Sequence, residues 1–171
     1  MNNIPRVYDY LTRSRAIVMN GARALTDEQY RRAFPIGPGS LAGILTHTYI
    51  CEWCYVERIL GHDVPPYPQW EVHDENPPAF PELERLWNAQ AARTRDTLAS
   101  VADWSAPVKY TVTSDDNRTW RVSTNIADVA TQLALHEMHH RAQALNVLRH
   151  LGVTFKDDLD FNSMMYDRVE L

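Results

Sequence analysis

Residues 125–152 read NIADVATQLALHEMHHRAQALNVLRHLG. At about 100° per residue, Ile126, Val129, Leu133, Ala144, Val147, Leu148 and Leu151 fall on one face, the period of an amphipathic helix. Asn125 and Asp128 have the spacing of a capping box, with Asp in place of the usual Glu. Gly152 supplies the stop. A helix over 126–151 follows. His136 and His140 lie at the edge and in the middle of its apolar face, one turn apart. Imidazoles at i and i+4 on a buried face can converge on one metal ion. His139 points to the opposite side, toward solvent.

Upstream, the chain supplies partners for this helix. Residues 4–25 form a first helix, with Pro5 in its first turn and Val7, Tyr10, Leu11, Ile17 and Val18 on its apolar side. Thr26-Asp27-Glu28 caps a short helix toward Phe34, and Pro35-Ile36-Gly37-Pro38-Gly39 breaks it. Ser40 caps a second long helix to Leu60, ended by Gly61. Residues 62–81 hold six prolines and read as a long loop. Pro81 opens a third helix through Ala102. Between 107 and 124 the period changes to two. VKYTVT and TWRVST flank Ser114-Asp115-Asp116-Asn117-Arg118 and predict a hairpin. The acidic tail from Asp157 carries an apolar stripe that packs across the bundle. The fold class is all-α: one domain over 1–171, a four-helix bundle with a small β-hairpin inserted before the last long helix.

Composition narrows the function. The chain has 171 residues, 44% hydrophobic and 23% charged, as a folded protein requires. Its net charge of −5 creates no global field for nucleic acid or an anionic membrane surface. No apolar run reaches the ~18–20 residues of a membrane span, and the N-terminus has no secretory pattern. Two cysteines do not make a disulfide scaffold. A cytoplasmic protein acting on a small molecule is the expectation.

The second helix carries a third candidate ligand. His47 sits at the margin of its apolar face, one turn from Cys51. Facing helices of a bundle can aim ligands into a shared core, so His47, His136 and His140 form a candidate three-nitrogen site. Neutral imidazoles suit zinc, nickel or iron(II). Three protein ligands leave an open position, the pattern of a catalytic site. The competing reading is a set of core histidines satisfied by hydrogen bonds. His62, His73 and His150 read as surface or capping residues, and Tyr49, Trp53 and Tyr55 as packing.

Two motifs compete with this reading. His136-Glu137-Met138-His139-His140 matches H-E-x-x-H, in which two His bind zinc and the Glu is a general base. Gln143 and Asn146 stand where the longer protease pattern needs Gly and His, and the downstream Glu available is Glu170. Cys51-Glu52-Trp53-Cys54 matches C-x-x-C, but both cysteines lie mid-helix rather than at the N-terminus that would activate one of them.

The chain resembles the DinB/YfiT-like superfamily of metal-dependent enzymes. Leu41-x-x-Ile44-Leu45-x-His47 with Glu52-Trp53 is similar to that family's second helix. Thr119-Trp120-Arg121-Val122, Val129 and His136-x-x-His139-His140-Arg141-Ala142-Gln143 are similar to its hairpin and last helix. Leu148-Arg149-x-Leu151-Gly152 and Asp158-Leu159-Asp160-Phe161 continue the likeness, with Ala142 at a position where Gly is common. The resemblance implies a four-helix bundle with long crossovers, one divalent metal ion on three histidines matching His47, His136 and His140, and a homodimer. Zinc or nickel is expected, with iron or manganese as alternatives. Relatives include transferases and isomerases that use a low-molecular-weight thiol: mycothiol, bacillithiol or glutathione. A cation with open positions acidifies a bound water or thiol, so thiol-dependent S-transfer and hydrolysis are the expected reactions. Glu52 and Glu137 are the candidate catalytic carboxylates, to orient a ligand or accept a proton. A non-catalytic metal-binding or stress-response protein is the alternative.

Overall fold

The computed structural model describes residues 3–113, 116 and 118–169. Four long helices make the frame: α1 (Ile4–Arg23), α3 (Leu41–Leu60), α4 (Phe80–Ser100) and α5 (Ile126–His150). The short α2 (Asp27–Arg31) and α6 (Phe161–Met165) flank them. Strands β1 (Pro107–Thr113) and β2 (Thr119–Asn125) pair antiparallel before α5, with Pro107 opposite Asn125 and Thr113 opposite Thr119. Of the turn read from the sequence, Ser114, Asp115 and Asn117 lie outside the described residues, as does Glu170. The arrangement is the helical bundle with a hairpin before its last long helix that the sequence predicts.

Local chemistry sets the helix ends. The Ser40 hydroxyl accepts the Gly43 N–H at 3.0 Å, and Asn125 Oδ1 accepts that of Asp128 at 2.9 Å. Each satisfies a donor that the first turn leaves unpaired. Asp128 answers with its side chain, its Oδ2 accepting Asn125 Nδ2 at 2.8 Å. Gly61, at φ +75°, ends α3 in the left-handed conformation that a residue with a Cβ resists. Pro81 lies in the first turn of α4, which starts at Phe80 and stops at Ser100, short of the Ala102 expected from the sequence.

Both α1 and α3 pack against α4 and α5, closing a four-sided bundle. Its interior is layered. At one end Val18, Leu41, Ile44, Leu83, Trp87 and Leu148 pack together. At the other, Tyr8, Leu11, Ile59, Leu98, Val129 and Leu133 do so. Fully burying each such side chain contributes about 1.5–3 kcal/mol. Buried polar groups fill the middle: Ser14, Arg15, Glu52, Thr94, Glu137 and His140. The tail closes over α1, where Phe161 meets the edge of Tyr10 at 5.1 Å and the Tyr10 hydroxyl donates to the Leu159 carbonyl at 2.8 Å. No helix among the described residues is long and apolar enough to cross a membrane.

Candidate metal centre

In the polar middle layer, the seam between α3 and α5 brings three imidazoles together. His136 and His140 come from successive turns of α5 and His47 faces them from α3. One ligand nitrogen from each lies within 4.8 Å of the other two. The His136 and His140 Nε2 atoms are 3.2 Å apart. Two nitrogens bound at ~2.1 Å to one ion, at angles between about 90° and 109°, would be separated by roughly 3.0–3.4 Å. The pair therefore already has the spacing of two ligands on a common cation.

Protonation favours the same conclusion. Burial lowers the His136 pKa to about 4, and the neighbouring His140 adds to the effect. Burial also lowers His140. Both rings are thus neutral at pH 7, the form that donates a lone pair to a metal.

Two of the rings are held by partners on their far side. His47 Nδ1 lies 2.8 Å from Asp74 Oδ2, and Asp74 Oδ1 accepts the Tyr67 hydroxyl at 2.6 Å. The bond from His47 is the main reason the Asp74 carboxyl falls to about 2, so it is an anion at neutral pH. With Nδ1 engaged by Asp74, Nε2 is the His47 nitrogen left for the cluster. His140 Nδ1 is bonded in the same sense to Gln143 Oε1 at 2.8 Å, while Gln143 Nε2 lies 3.0 Å from His139 Nε2. A hydrogen-bonded far nitrogen fixes tautomer and ring orientation and raises ligand basicity. The three-nitrogen donor set, the neutrality of the His136–His140 pair and the outer partners all fit a divalent cation.

The structure sends the expected carboxylates elsewhere. Glu52 and Glu137 point into the core and share the Arg15 guanidinium. Arg15 Nε and Nη2 donate to Glu137 at 2.8 and 2.6 Å, and Nη2 to Glu52 at 2.7 Å. Glu52 also accepts Trp87 Nε1 at 2.8 Å, the Tyr8 hydroxyl at 2.5 Å and the Thr94 hydroxyl at 2.6 Å. Burial pushes the Glu137 carboxyl up, against the pull of Arg15. The carboxylate that touches a histidine of the cluster is Asp74.

Neither Asp74 nor Arg15 emerged from the sequence. Asp74 lies in an aperiodic proline-rich segment that gives no direction for a side chain. Arg15 did leave a signal, a charge between Leu11 and Val18 on the apolar side of α1. Among the loop histidines, His73 Nε2 reaches the Tyr67 carbonyl at 3.0 Å and His62 Nδ1 pairs with Glu57 at 2.7 Å. Cys51 Sγ is 3.7 Å from His47 Nε2 but is not in the three-nitrogen group. Tyr55 packs edge-on against His136 at 5.8 Å. Arg141 bonds the hydroxyls of Ser14 and Tyr10, joining α5 to α1.

Fold and site together define a class: a helical bundle with a hairpin before its last helix and a three-histidine group able to hold a metal ion. The DinB family model matches residues 1–165, and the chain belongs to the DinB family. A search of curated proteins found no match to the chain.

Proposed function

We propose that this protein is a divalent-metal-dependent enzyme acting on a small molecule, with His47, His136 and His140 as ligands. The observation that carries the reading is the convergence of three imidazoles from two helices. Asp74 and Gln143 orient His47 and His140. Glu52 and Glu137 take a charge-pairing role around Arg15. Bound there, zinc, nickel, iron or manganese would supply Lewis acidity and open coordination positions.

The reaction class we favour is thiol-dependent S-transfer, with hydrolysis second. Burial pushes the Cys51 and Cys54 thiols up to about 12, so both are protonated at neutral pH. A nucleophilic sulfur would then come from an external thiol such as mycothiol, bacillithiol or glutathione. The protease reading loses its general base, because Glu137 is committed to Arg15. We also propose a homodimer. The exposed Leu135 and Met138 border an apolar groove with Ile4 and Val7, a surface that a second copy would cover.

Metal analysis of untagged protein tests the centre. About one divalent ion per chain is expected, and none in His136→Ala or His140→Ala. Full metal content in both variants would reject the assignment. A screen of the three thiols against electrophiles tests the reaction; inactivity with all three, in a metal-loaded protein, favours hydrolysis or metal binding without catalysis.

A further inference from the structure

Between α3 and the proline-rich loop lies a cavity of about 310 Å³, bounded by Tyr49, Ile50 and Trp53 of α3 and by Pro65, Trp70 and Glu71 of the loop. Among the described residues lining it there is no basic side chain. The Trp53 and Trp70 rings meet at 5.4 Å and 73°, forming a corner with two aromatic walls. Glu71 adds a carboxylate, and its charge is felt at Tyr49, whose pKa is raised first by burial and then by Glu71. Arg85, whose charge pulls that phenol the other way, is paired with Glu82 at 2.7 Å.

We propose that this cavity binds a small organic cation, an alkylated ammonium group seated against the Trp53–Trp70 corner with Glu71 as its counter-charge. Indole faces are the strongest aromatic partners of a cation. Alkyl substituents suit the apolar Ile50 and Pro65 walls, which would strip a bare ammonium of water without replacing it. The walls of the cavity are linked to the histidine centre through neighbouring residues. Ile50 is one turn of α3 from His47. Trp70 packs on Tyr67 at 4.9 Å, and the Tyr67 hydroxyl donates to the Asp74 that holds His47. The cationic group is therefore the anchoring end of the substrate, a role that rests on the centre being catalytic; the binding itself does not.

Calorimetric titration with choline and with its uncharged carbon isostere, 3,3-dimethylbutan-1-ol, decides the matter. Choline should bind about tenfold more tightly, in line with a desolvated cation–π contact, in metal-free and metal-loaded protein alike. Glu71→Gln should weaken choline severalfold and leave the alcohol unchanged. Trp70→Ala should lose choline while the circular dichroism spectrum stays helical. Equal binding of the two probes, or none of either, would overturn the proposal. Choline preference in a protein that cannot be loaded with metal would overturn the metal reading alone. A metal-loaded protein without that preference would overturn only the cation site.

Discussion

At the scale of single residues, the least conspicuous contact near the centre is the one between His47 and Asp74. The ring has two nitrogens, and the 2.8 Å contact commits one to the carboxylate and leaves the other available to a metal. Asp74→Asn keeps the shape but removes the charge and permits the wrong tautomer. We expect metal affinity to fall about 10–100-fold, with little change in helicity. Competition with a chromogenic chelator measures this, and an unchanged dissociation constant would remove Asp74 from the centre. The histidines themselves were legible, because a helix converts spacing into direction: positions 136 and 140 must share a face. A loop performs no such conversion. The fold can bring any residue of 62–79 to His47, and no pattern in HDVPPYPQWEVHDENPPA singles out Asp74.

Among the elements, the break between α2 and α3 does more than turn the chain. Gly37 has φ +49°, and a Cβ there would meet the Gln143 side chain, with Cδ only 2.7 Å away. The bare backbone is what lets Gln143 lie back against the loop and accept from His140. Gly37→Ala should therefore destabilise the protein by about 1 kcal/mol from backbone strain. It should also weaken metal binding by displacing Gln143. If chemical denaturation shows the cost and metal affinity is intact, Gln143 is not orienting His140. Breaks, caps and the hairpin were readable from Pro, Gly, Ser and Asn at fixed offsets. The approach of this loop to Gln143 was not, since it depends on how α2 and α3 sit on α5.

For the molecule as a whole, the decisive feature is a polar layer between two apolar ones. Arg15 of α1 holds Glu52 of α3 and Glu137 of α5, and its guanidinium lies 4.4 Å from the Trp87 ring of α4. All four long helices thus meet at one cation. Arg15→Ala leaves two buried carboxylates without their partner and should cost about 3–5 kcal/mol, read as a lowered urea midpoint. A shift below 1 kcal/mol would mean that water or protonation takes Arg15's place. The helical wheel places Glu137 inward, but only the rotation of α1 against α5 shows which cation meets it. Stability should also follow pH. Unfolded imidazoles titrate near ~6.5, whereas folded His136 does so at about 4 and His140 is likewise lowered. Between those values the unfolded chain binds more protons, so metal-free protein loses stability as pH falls through that window. His136 is only half-buried, so solvent screening limits the loss to the order of 1 kcal/mol. Urea midpoints at pH 7 and pH 5 test this, and His136→Gln should narrow the difference between them.

The placement of the three histidines along the chain has one more consequence. His47 and the His136–His140 pair are separated by roughly ninety residues of chain, so one ion shared between them would close a large ring, and ring closure restricts an unfolded chain far more than a folded one. In the native bundle the three imidazoles are already gathered; in the unfolded chain they are scattered. An ion held there would work as a reversible cross-link, and the grip it added to the bundle would rise with the logarithm of its free concentration.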